Sequence, residues 1–489
     1  MLFNSLSFVV FFVCVFALYW TVRVRTIQNF LLLVASYVFY GAWSWKFLLL
    51  LIGSTLLDFL WGILIDRSVD PRRRQLFLIG SIVMNLTVLG GFKYLGFFVS
   101  EAAEFLAWLG VPSSLPVLEI VLPIGISFYT FQTMAYTIDV YRKKIPAERN
   151  PIDFALYVAF FPQLVAGPIE RASHMLPQFK IERLWSAAGI DSGLQLAVWG
   201  LFKKVVIADN LSPYVDAVYL HPAGYSGTAL MTATAFFAFQ IYCDFSGYSD
   251  TARGTARMLG FELVRNFDHP YISRNPVEFW QRWHISLSQW FQDYLYFPLA
   301  MRFMRKGGWA NRYKAHIISM TLIGLWHGAS WTFIVFGLYW GVIIALYLFA
   351  MERSVDVAPE SRLGQAAASN ARLIHSLSLG VMFVIACIGW IFFRAESMSE
   401  AWYMLTHLFS PEGVPAVLRA QIVHPAVLWL LILSLVIAEW LQRNRPALVA
   451  CVSVGRLPAI AWRYALVAAI IFSYMLAQQG SRPFIYFQF

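Results

Sequence analysis

Phe47 to Ile65 read FLLLLIGSTLLDFLWGILI, an almost wholly apolar run of the length that an α-helix needs to cross a lipid bilayer. The run lacks the apolar–polar alternation of membrane β-barrel strands, and a continuous apolar segment satisfies its backbone groups in lipid as a helix. Comparable runs occupy 6–22, 28–44, 75–92, 116–138, 193–208, 226–243, 316–335, 336–351, 375–393, 425–441 and 459–477. We therefore predict an all-α polytopic membrane protein with about a dozen spans.

The composition agrees with a membrane protein and excludes several other classes. Of the 489 residues, 59% are hydrophobic and only 13% are charged, whereas soluble domains carry roughly a quarter of charged residues. This balance excludes a disordered chain, a coiled coil and an ordinary soluble enzyme. The formal net charge of +10 indicates basic cytoplasmic loops rather than a nucleic-acid partner, because the charges lie between apolar runs.

Basic residues in three loops predict the orientation of the chain. Arg23 and Arg25 follow the first run, residues 66–74 follow the third, and residues 142–149 follow the fifth. Because Lys and Arg concentrate in short cytoplasmic loops, we expect these three loops in the cytoplasm and the N-terminus outside.

The sequence carries no pattern that predicts a metal ion or a bound cofactor. The four cysteines are far apart and form no Cys-x-x-Cys pair, which argues against a zinc site or a disulfide framework. There is no Walker A loop, no dinucleotide-binding fingerprint and no His-Glu-x-x-His motif. We therefore expect no metal site and no resident cofactor.

The middle of the chain differs from both ends. Its apolar runs are short and interrupted, as in 160–168 with its two prolines and in the aromatic stretch 280–297. Irregular backbone at membrane depth is tolerated only when it is buried in protein or lines a cavity, so we predict re-entrant segments there. The predicted division is 1–150 for N-terminal transmembrane helices, 151–350 for a catalytic core and 351–489 for C-terminal transmembrane helices, in one integral membrane domain.

Two stretches fit none of the spans. Residues 93–109 contain Glu101 and Glu104, which favours an interfacial helix. Residues 352–374 are rich in Ala and Ser and are the best candidate for a mobile loop.

His327 is the first candidate for chemistry. It lies in an otherwise apolar span, and an ionisable residue inside a membrane helix is costly and indicates function by default. Gly324 and Gly328 would let another backbone or a slim substrate approach His327 closely. Trp326 and Trp331 would supply bulky side chains around it. The alternative is a core histidine that bonds a carbonyl of another helix.

His284 is the second candidate. On a continuous helix, Trp280, Trp283 and His284 would share one face and Arg282 would take another. The alternative is an interfacial aromatic belt with a snorkelling Arg282.

Several polar residues are predicted to support these histidines. Asp244 and Asp250 could orient a histidine or cap the following helix, and capping is favoured for Asp250 because a helix start follows it. Ser249 lies beside them. Cationic side chains could attract the phosphates of coenzyme A or an acidic carrier protein, or could simply be solvated loop charges: Arg171, Lys203 and Lys204.

Buried histidines without metal ligands suit acyl transfer to an alcohol. A histidine can take the proton from a hydroxyl that attacks an acyl carbon, and a dry site protects the thioester or ester from hydrolysis. A Ser-His-Asp hydrolase is a weaker interpretation, because no Gly-x-Ser-x-Gly elbow is present.

Five segments, taken in order, resemble the bacterial polysaccharide-acylating branch of the membrane-bound O-acyltransferase family: 122–129, 161–169, 242–250, 280–296 and 324–331. The similarity runs from about residue 1 to 395, and the ordered set ending in Trp326-His327-Gly328 is its specific part. The family's buried histidine falls on His327, and its second histidine falls on His284. Trp326, Trp283, Arg282 and Asp244 are expected to support them.

The resemblance implies a ring of about 11–13 tilted transmembrane helices, with re-entrant and interfacial helices around a central cavity in a bacterial inner membrane. It implies an acyl group, first of all acetyl, that comes from a cytoplasmic acyl-CoA or acyl-carrier-protein thioester. The acceptor would be a hydroxyl of an exported cell-surface polysaccharide, reached directly or through a periplasmic or extracellular transferase partner.

One departure keeps alternatives open. Alginate-acylating members follow their Asp-Tyr-x-Tyr segment with a Leu-Gly-Gly-Asn-Arg turn, whereas here Asp293–Tyr296 is followed by Phe297-Pro298-Leu299 and Ala300-Met301-Arg302. D-alanyl transfer to a cell-envelope polymer therefore stays an alternative. A transporter or flippase without acyl chemistry and a lipid acyltransferase are the others.

Overall fold

The computed structural model describes residues 1, 3–111, 120–165, 167–305, 307, 310–354, 371–411, 424–444 and 484–485. Within these ranges the chain is helical and contains no strand. It forms two compact units, of which the first is Met1–Ala197 with Tyr248–Arg265 and the second is Val198–Gly247 with Asn266–Gln488. The division at residues 150 and 350 stays a prediction.

The first unit contains the helices of the N-terminal part of the chain. A helix boundary follows local chemistry at α4, where the Asp70 side chain accepts from the Arg72 N–H and Pro71 takes the first helical position. The helices are α1 (Leu6–Thr21), α2 (Arg25–Gly41), α3 (Trp45–Arg67), α4 (Pro71–Lys93), α5 (Leu95–Trp108), α6 (Ile126–Tyr141), α7 (Pro151–Ala159), α8 (Phe161–Leu164), α9 (Ala172–Lys180), the start of α10 (Ala187–Leu201) and the end of α12 (Gly227–Met258).

The second unit contains the remainder of α10 and α12 and the later helices. Two turns of π-helix, Phe202–Ala208 and Gln292–Tyr296, interrupt its helical runs. The other helices are α11 (Asp209–Leu220), α13 (Pro276–Arg282), α14 (Ile285–Phe291), α15 (Phe297–Met304), α16 (Ala310–His327), α17 (Trp331–Ser354), α18 (Ala371–Arg394), α19 (Met398–His407) and α20 (Pro425–Asn444).

Five of the described helices are long and apolar enough to cross a membrane: α3, α4, α17, α18 and α20. The predicted spans 47–65, 75–92, 375–393 and 425–441 lie inside four of them, and the shorter α1 covers all but the last residue of the predicted 6–22. The prediction of an all-α polytopic membrane protein is confirmed. The predicted span 459–477 and most of the predicted mobile loop, 355–370, lie outside the described residues.

Other predicted boundaries are wrong, for local reasons. The predicted border between 316–335 and 336–351 is misplaced, because α16 ends at His327 and α17 begins at Trp331. In the described part of the predicted 116–138, residues 120–138, the helix begins at Ile126, which follows Gly125 at a φ of +79°. The predicted 226–243 is part of one 32-residue helix, α12.

Direct contacts join two of the three basic loops of the first unit, and Lys180 links the third to them. Arg149 pairs with Asp66 at 2.5 Å, and Arg74 donates to the Tyr141 carbonyl at 2.9 Å. Arg25 donates to the Lys180 carbonyl at 2.6 Å, and Lys180 pairs with Glu148 at 2.7 Å. The loops therefore lie on one side of this unit, as the positive-inside interpretation requires; the compartment that they face stays a prediction.

Glycines bring α16 and α17 together in the second unit. A Cβ on Gly324 would collide with the Phe333 carbonyl oxygen, and one on Gly341 would lie 2.7 Å from the Ile317 Cα. Such close backbone approach requires small residues at the contact, as is common between membrane helices. Gly324 and Gly328, beside His327, therefore allow α16 to pack closely against α17. This packing fixes the end of α16, where His327 lies.

Candidate active site

His284 occupies a sharp turn between α13 and α14. Its φ is +41°, one of three positive values at non-glycine residues among those described. The turn is held by the Ile285 N–H, which donates to the Asn266 carbonyl at 2.9 Å, and by the Ser286 hydroxyl, which donates to the Asn266 Oδ1 at 2.7 Å. The chain is therefore not one continuous helix through Trp280 and His284, so the helical face considered from the sequence does not form. Left-handed backbone at a residue with a Cβ costs energy and concentrates at functional sites.

The His284 ring is completely buried among aromatic side chains. The Phe245 ring meets it edge-on with centroids 4.7 Å apart, and the Trp326 ring lies at 5.9 Å. His284 lies outside the five membrane-capable helices, and desolvation by burial lowers its pKa to about 3. The imidazole is therefore neutral at physiological pH, which is the form that accepts a proton.

His327 is the last residue of α16 and is 3% exposed. It lies at a helix end rather than inside a span, because Gly328–Ser330 separate α16 from α17. Its ring contacts the rings of Trp326 at 5.0 Å and Phe393 at 5.2 Å between centroids. Both histidines thus contact the indole of Trp326, which is itself buried.

Aromatic side chains enclose the two histidines. Trp283 lies 4.7 Å from Trp390 and 5.1 Å from Phe267, between ring centroids. Phe336 lies 6.0 Å from His327 and 5.6 Å from Trp390. Such packing excludes water and holds each ring in place.

Arg282, predicted as a supporting residue, pairs with Glu278 at 2.9 Å one turn earlier in α13. It also donates to the Asp268 carbonyl at 3.1 Å. Burial alone would raise the pKa of Glu278, but the backbone N–H of Arg274 and the two arginine side chains outweigh burial and lower it. These bonds tie α13 to the loop before it and so support the His284 turn.

Asp244 lies in a buried ion cluster on α12. Its Oδ1 is 2.5 Å from the Lys204 Nζ, and its Oδ2 accepts from the Ile485 backbone N–H at 2.7 Å. Lys204 also pairs with Asp209 at 2.8 Å. The π-helical turn that carries Lys204 approaches α12 closely, since a Cβ on Gly247 would lie 3.0 Å from the Lys204 backbone nitrogen.

Lys203 and Lys204, predicted to bind the donor, are both buried. Lys203 donates to the Ser246 hydroxyl at 3.0 Å and lies 5.8 Å from the centre of the Tyr242 ring. The structure gives both lysines partners within the second unit, and a role in donor binding stays a prediction.

Three predicted residues belong to the first unit. Asp250 lies in the interior of α12 and pairs with Arg253 at 3.2 Å, so the predicted N-cap is wrong because the helix does not start there. Ser249 is buried, and its hydroxyl has no hydrogen-bond partner among the described residues. Arg171 precedes α9, and its carbonyl accepts from the His174 N–H at 3.0 Å.

A further cluster near the histidines contains none of the predicted site residues. Tyr242, His269 and Glu439 come together, with the Tyr242 hydroxyl 2.5 Å from the Glu439 Oε1. The signal was present, because Glu439 is an acidic residue inside the predicted span 425–441 and such residues indicate function. The sequence gives no comparable signal for His269, which lies outside the predicted spans.

The geometry suits proton transfer in a dry environment. Two buried imidazoles meet one indole, and no group of three His, Cys, Asp or Glu among the described residues could hold a metal ion. A neutral base inside an aromatic enclosure can accept a hydroxyl proton, and the enclosure can shield a thioester from water.

Comparisons with known proteins identify the family. Residues 141–390 match the membrane-bound O-acyltransferase family. The chain is 40% identical to the probable alginate O-acetylase AlgI of Pseudomonas aeruginosa, over 84% of this chain and 75% of the relative. It is 36% identical to AlgI of Azotobacter vinelandii over the full length of both, and 34% identical to the peptidoglycan O-acetyltransferase of Helicobacter pylori over 78% of this chain and 74% of the relative. The chain belongs to the membrane-bound O-acyltransferase family and is an O-acyltransferase.

Proposed function

We propose that this protein transfers an acetyl group from a cytoplasmic thioester to a hydroxyl of an exported cell-surface polysaccharide in the bacterial inner membrane. The donor is acetyl-CoA or an acyl carrier protein, and the acceptor is reached directly or through a periplasmic or extracellular partner transferase. The observation that carries the proposal is the pair of buried histidines, His284 and His327, on one indole. The relatives' names, probable alginate O-acetylase and peptidoglycan O-acetyltransferase, support a polysaccharide acceptor.

The proposed reaction is a direct acyl exchange. The acceptor oxygen attacks the thioester carbonyl carbon while an imidazole nitrogen of His327 takes the hydroxyl proton. The new C–O bond forms, the C–S bond breaks, and the proton passes to the departing thiolate, so that an ester and a free thiol result. A general base of this kind contributes about 10²–10⁴-fold to the rate.

His284 is proposed as the second member of the pair, on the cytoplasmic approach. Its neutral ring contacts the Trp326 indole, which in turn contacts the His327 ring. Trp326 and Trp283 are proposed to exclude water. Asp244 acts indirectly, by fixing the part of α12 that presents Phe245 to the His284 ring.

The test uses inverted membrane vesicles supplied with radiolabelled acetyl-CoA. Label is followed into polymer, protein and lipid fractions for the wild type, for His327→Ala, and for His375→Ala as a matched change of an exposed histidine. We expect label in the polymer or in a partner protein, a loss of at least about 10²-fold in His327→Ala and no loss in His375→Ala. Folding is checked by size exclusion.

The other outcomes separate the alternatives. Full transfer by folded His327→Ala would refute the role of His327. Label in extracted lipid would identify a lipid acyltransferase instead. If acetyl-CoA gives no label but a D-alanyl carrier protein does, the transferred group is D-alanyl rather than acetyl.

A further inference from the structure

Glu439 is an acidic residue on α20, a helix otherwise apolar enough to cross a membrane. An ionisable group in such a helix is costly to bury and is retained where partners hold it. Its side chain is only 15% exposed. The residue lies beyond residues 141–390, the part of the chain that matches the family.

The Glu439 carboxylate contacts two side chains from different parts of the second unit. The Tyr242 hydroxyl, on α12, donates to its Oε1 at 2.5 Å. The His269 Nδ1, in the loop after α12, lies 3.3 Å from its Oε2, and the His269 side chain is 12% exposed. One carboxylate thus joins α12 and this loop to α20.

Tyr242 and the loop that contains His269 both support the His284 turn. The Tyr242 ring lies 5.9 Å from Phe267 and 6.3 Å from Trp283, between centroids. Phe267 in turn contacts the His284 ring at 6.5 Å. Tyr242 is therefore part of the wall that supports the residues around His284.

The loop with His269 supports the same turn through its backbone. The Asp268 N–H donates to the Arg282 carbonyl at 3.0 Å, and the Asn266 carbonyl accepts from the Ile285 N–H at 2.9 Å. His269, at the end of this loop, has a φ of +48°. Two strained histidines, His269 and His284, thus lie on two backbone segments that hydrogen-bond to each other, and strain of this kind persists only where the surroundings fix it.

We propose that Glu439 is a positioning residue for acyl transfer, which holds the His284 turn through Tyr242 and His269. The proposal rests on the proposed function of His284. Glu439 touches neither substrate nor reacting atoms; it fixes the wall and the loop that set where the His284 ring lies. Small misplacement of a catalytic group lowers the rate by up to about 10²-fold without weakening donor binding.

The test compares Glu439→Ala and Glu439→Gln with the wild type in the vesicle assay. We expect kcat to fall by about 10²-fold in Glu439→Ala, with KM for acetyl-CoA unchanged within about twofold. Glu439→Gln keeps an oxygen that accepts from the Tyr242 hydroxyl, so it should recover part of the rate. Glu104→Gln, the same change at an exposed residue of α5, should leave kcat unchanged.

Hydrogen–deuterium exchange provides a readout that does not depend on activity. We expect the Asp268 and Ile285 amides to exchange faster in Glu439→Ala and Glu439→Gln than in the wild type. Unchanged exchange and unchanged kcat would overturn the proposal, as would a rise in KM with constant kcat. If the wild type transfers no label but the Glu439 variants exchange these amides faster, the positioning of the turn is confirmed and only the proposed function is refuted.

Discussion

Lys204→Met is expected to be strongly destabilising because Lys204 neutralises two carboxylates. Its Nζ lies 2.5 Å from Asp244 and 2.8 Å from Asp209, and its side chain is 7% exposed. Removing one partner of a buried ion pair leaves an uncompensated charge and costs about 3–5 kcal/mol. This is a large fraction of the roughly 5–15 kcal/mol that separates folded from unfolded proteins.

The measurement is thermal unfolding in detergent, followed by tryptophan fluorescence and size exclusion. Arg73→Met is the matched control, because Arg73 is 78% exposed and pairs with Asp70, itself 50% exposed, at 4.0 Å; a loss below about 1 kcal/mol is expected there. The double variant Lys204→Met/Asp244→Asn should regain part of the loss, since a neutral amide oxygen still accepts from the Ile485 N–H.

Two results would refute this reasoning. Equal destabilisation by Lys204→Met and Arg73→Met would show that the buried cluster contributes no more than an exposed pair. A stable Lys204→Met with a raised KM for acetyl-CoA would instead favour the predicted role in donor binding.

Three further predictions concern other parts of the chain. The hydrogen bond between His174 and Glu170 raises the His174 pKa above 6.5. The stabilisation that this bond gives to the folded protein is therefore present below pH 6.5 and is lost as pH rises through the raised pKa. The melting curves of the wild type and His174→Gln should converge at high pH. Gly324→Ala would meet the Phe333 carbonyl and should cost about 1–3 kcal/mol in thermal unfolding. His284→Asn and His284→Val should both lose activity, but only Val, which disfavours positive φ, should also lower the melting temperature.

Much of the fold could be predicted from composition and periodicity. The spans at 47–65, 75–92, 375–393 and 425–441 lie within described helices because a long apolar run has few alternatives to a helix in lipid. The ends of the helices are harder to predict from the sequence. The break at Gly328–Ser330 lies inside a run that stays apolar on both sides, so hydropathy does not reveal it.

The candidate site was predicted in part. The sequence singles out His284 and His327 because ionisable or polar residues stand out in apolar surroundings, and the structure brings both to Trp326. The left-handed turn at His284 could not be predicted, because the neighbouring sequence is compatible with a helix and long-range bonds to Asn266 stabilise the turn. The pairing of Asp244 with Lys204 likewise depends on tertiary contacts that spacing does not show.

The bond between Asp244 and Ile485 has a practical consequence for mutagenesis. The donor is a backbone N–H that is 241 residues away in sequence, so no change of the Ile485 side chain removes it. An alanine scan would therefore report residue 485 by its packing alone and overlook the contact. Proline at 485 would delete the donor itself, and a protein that tolerates Ile485→Ala but not Ile485→Pro would reveal that its interior depends on the main chain of a distant segment.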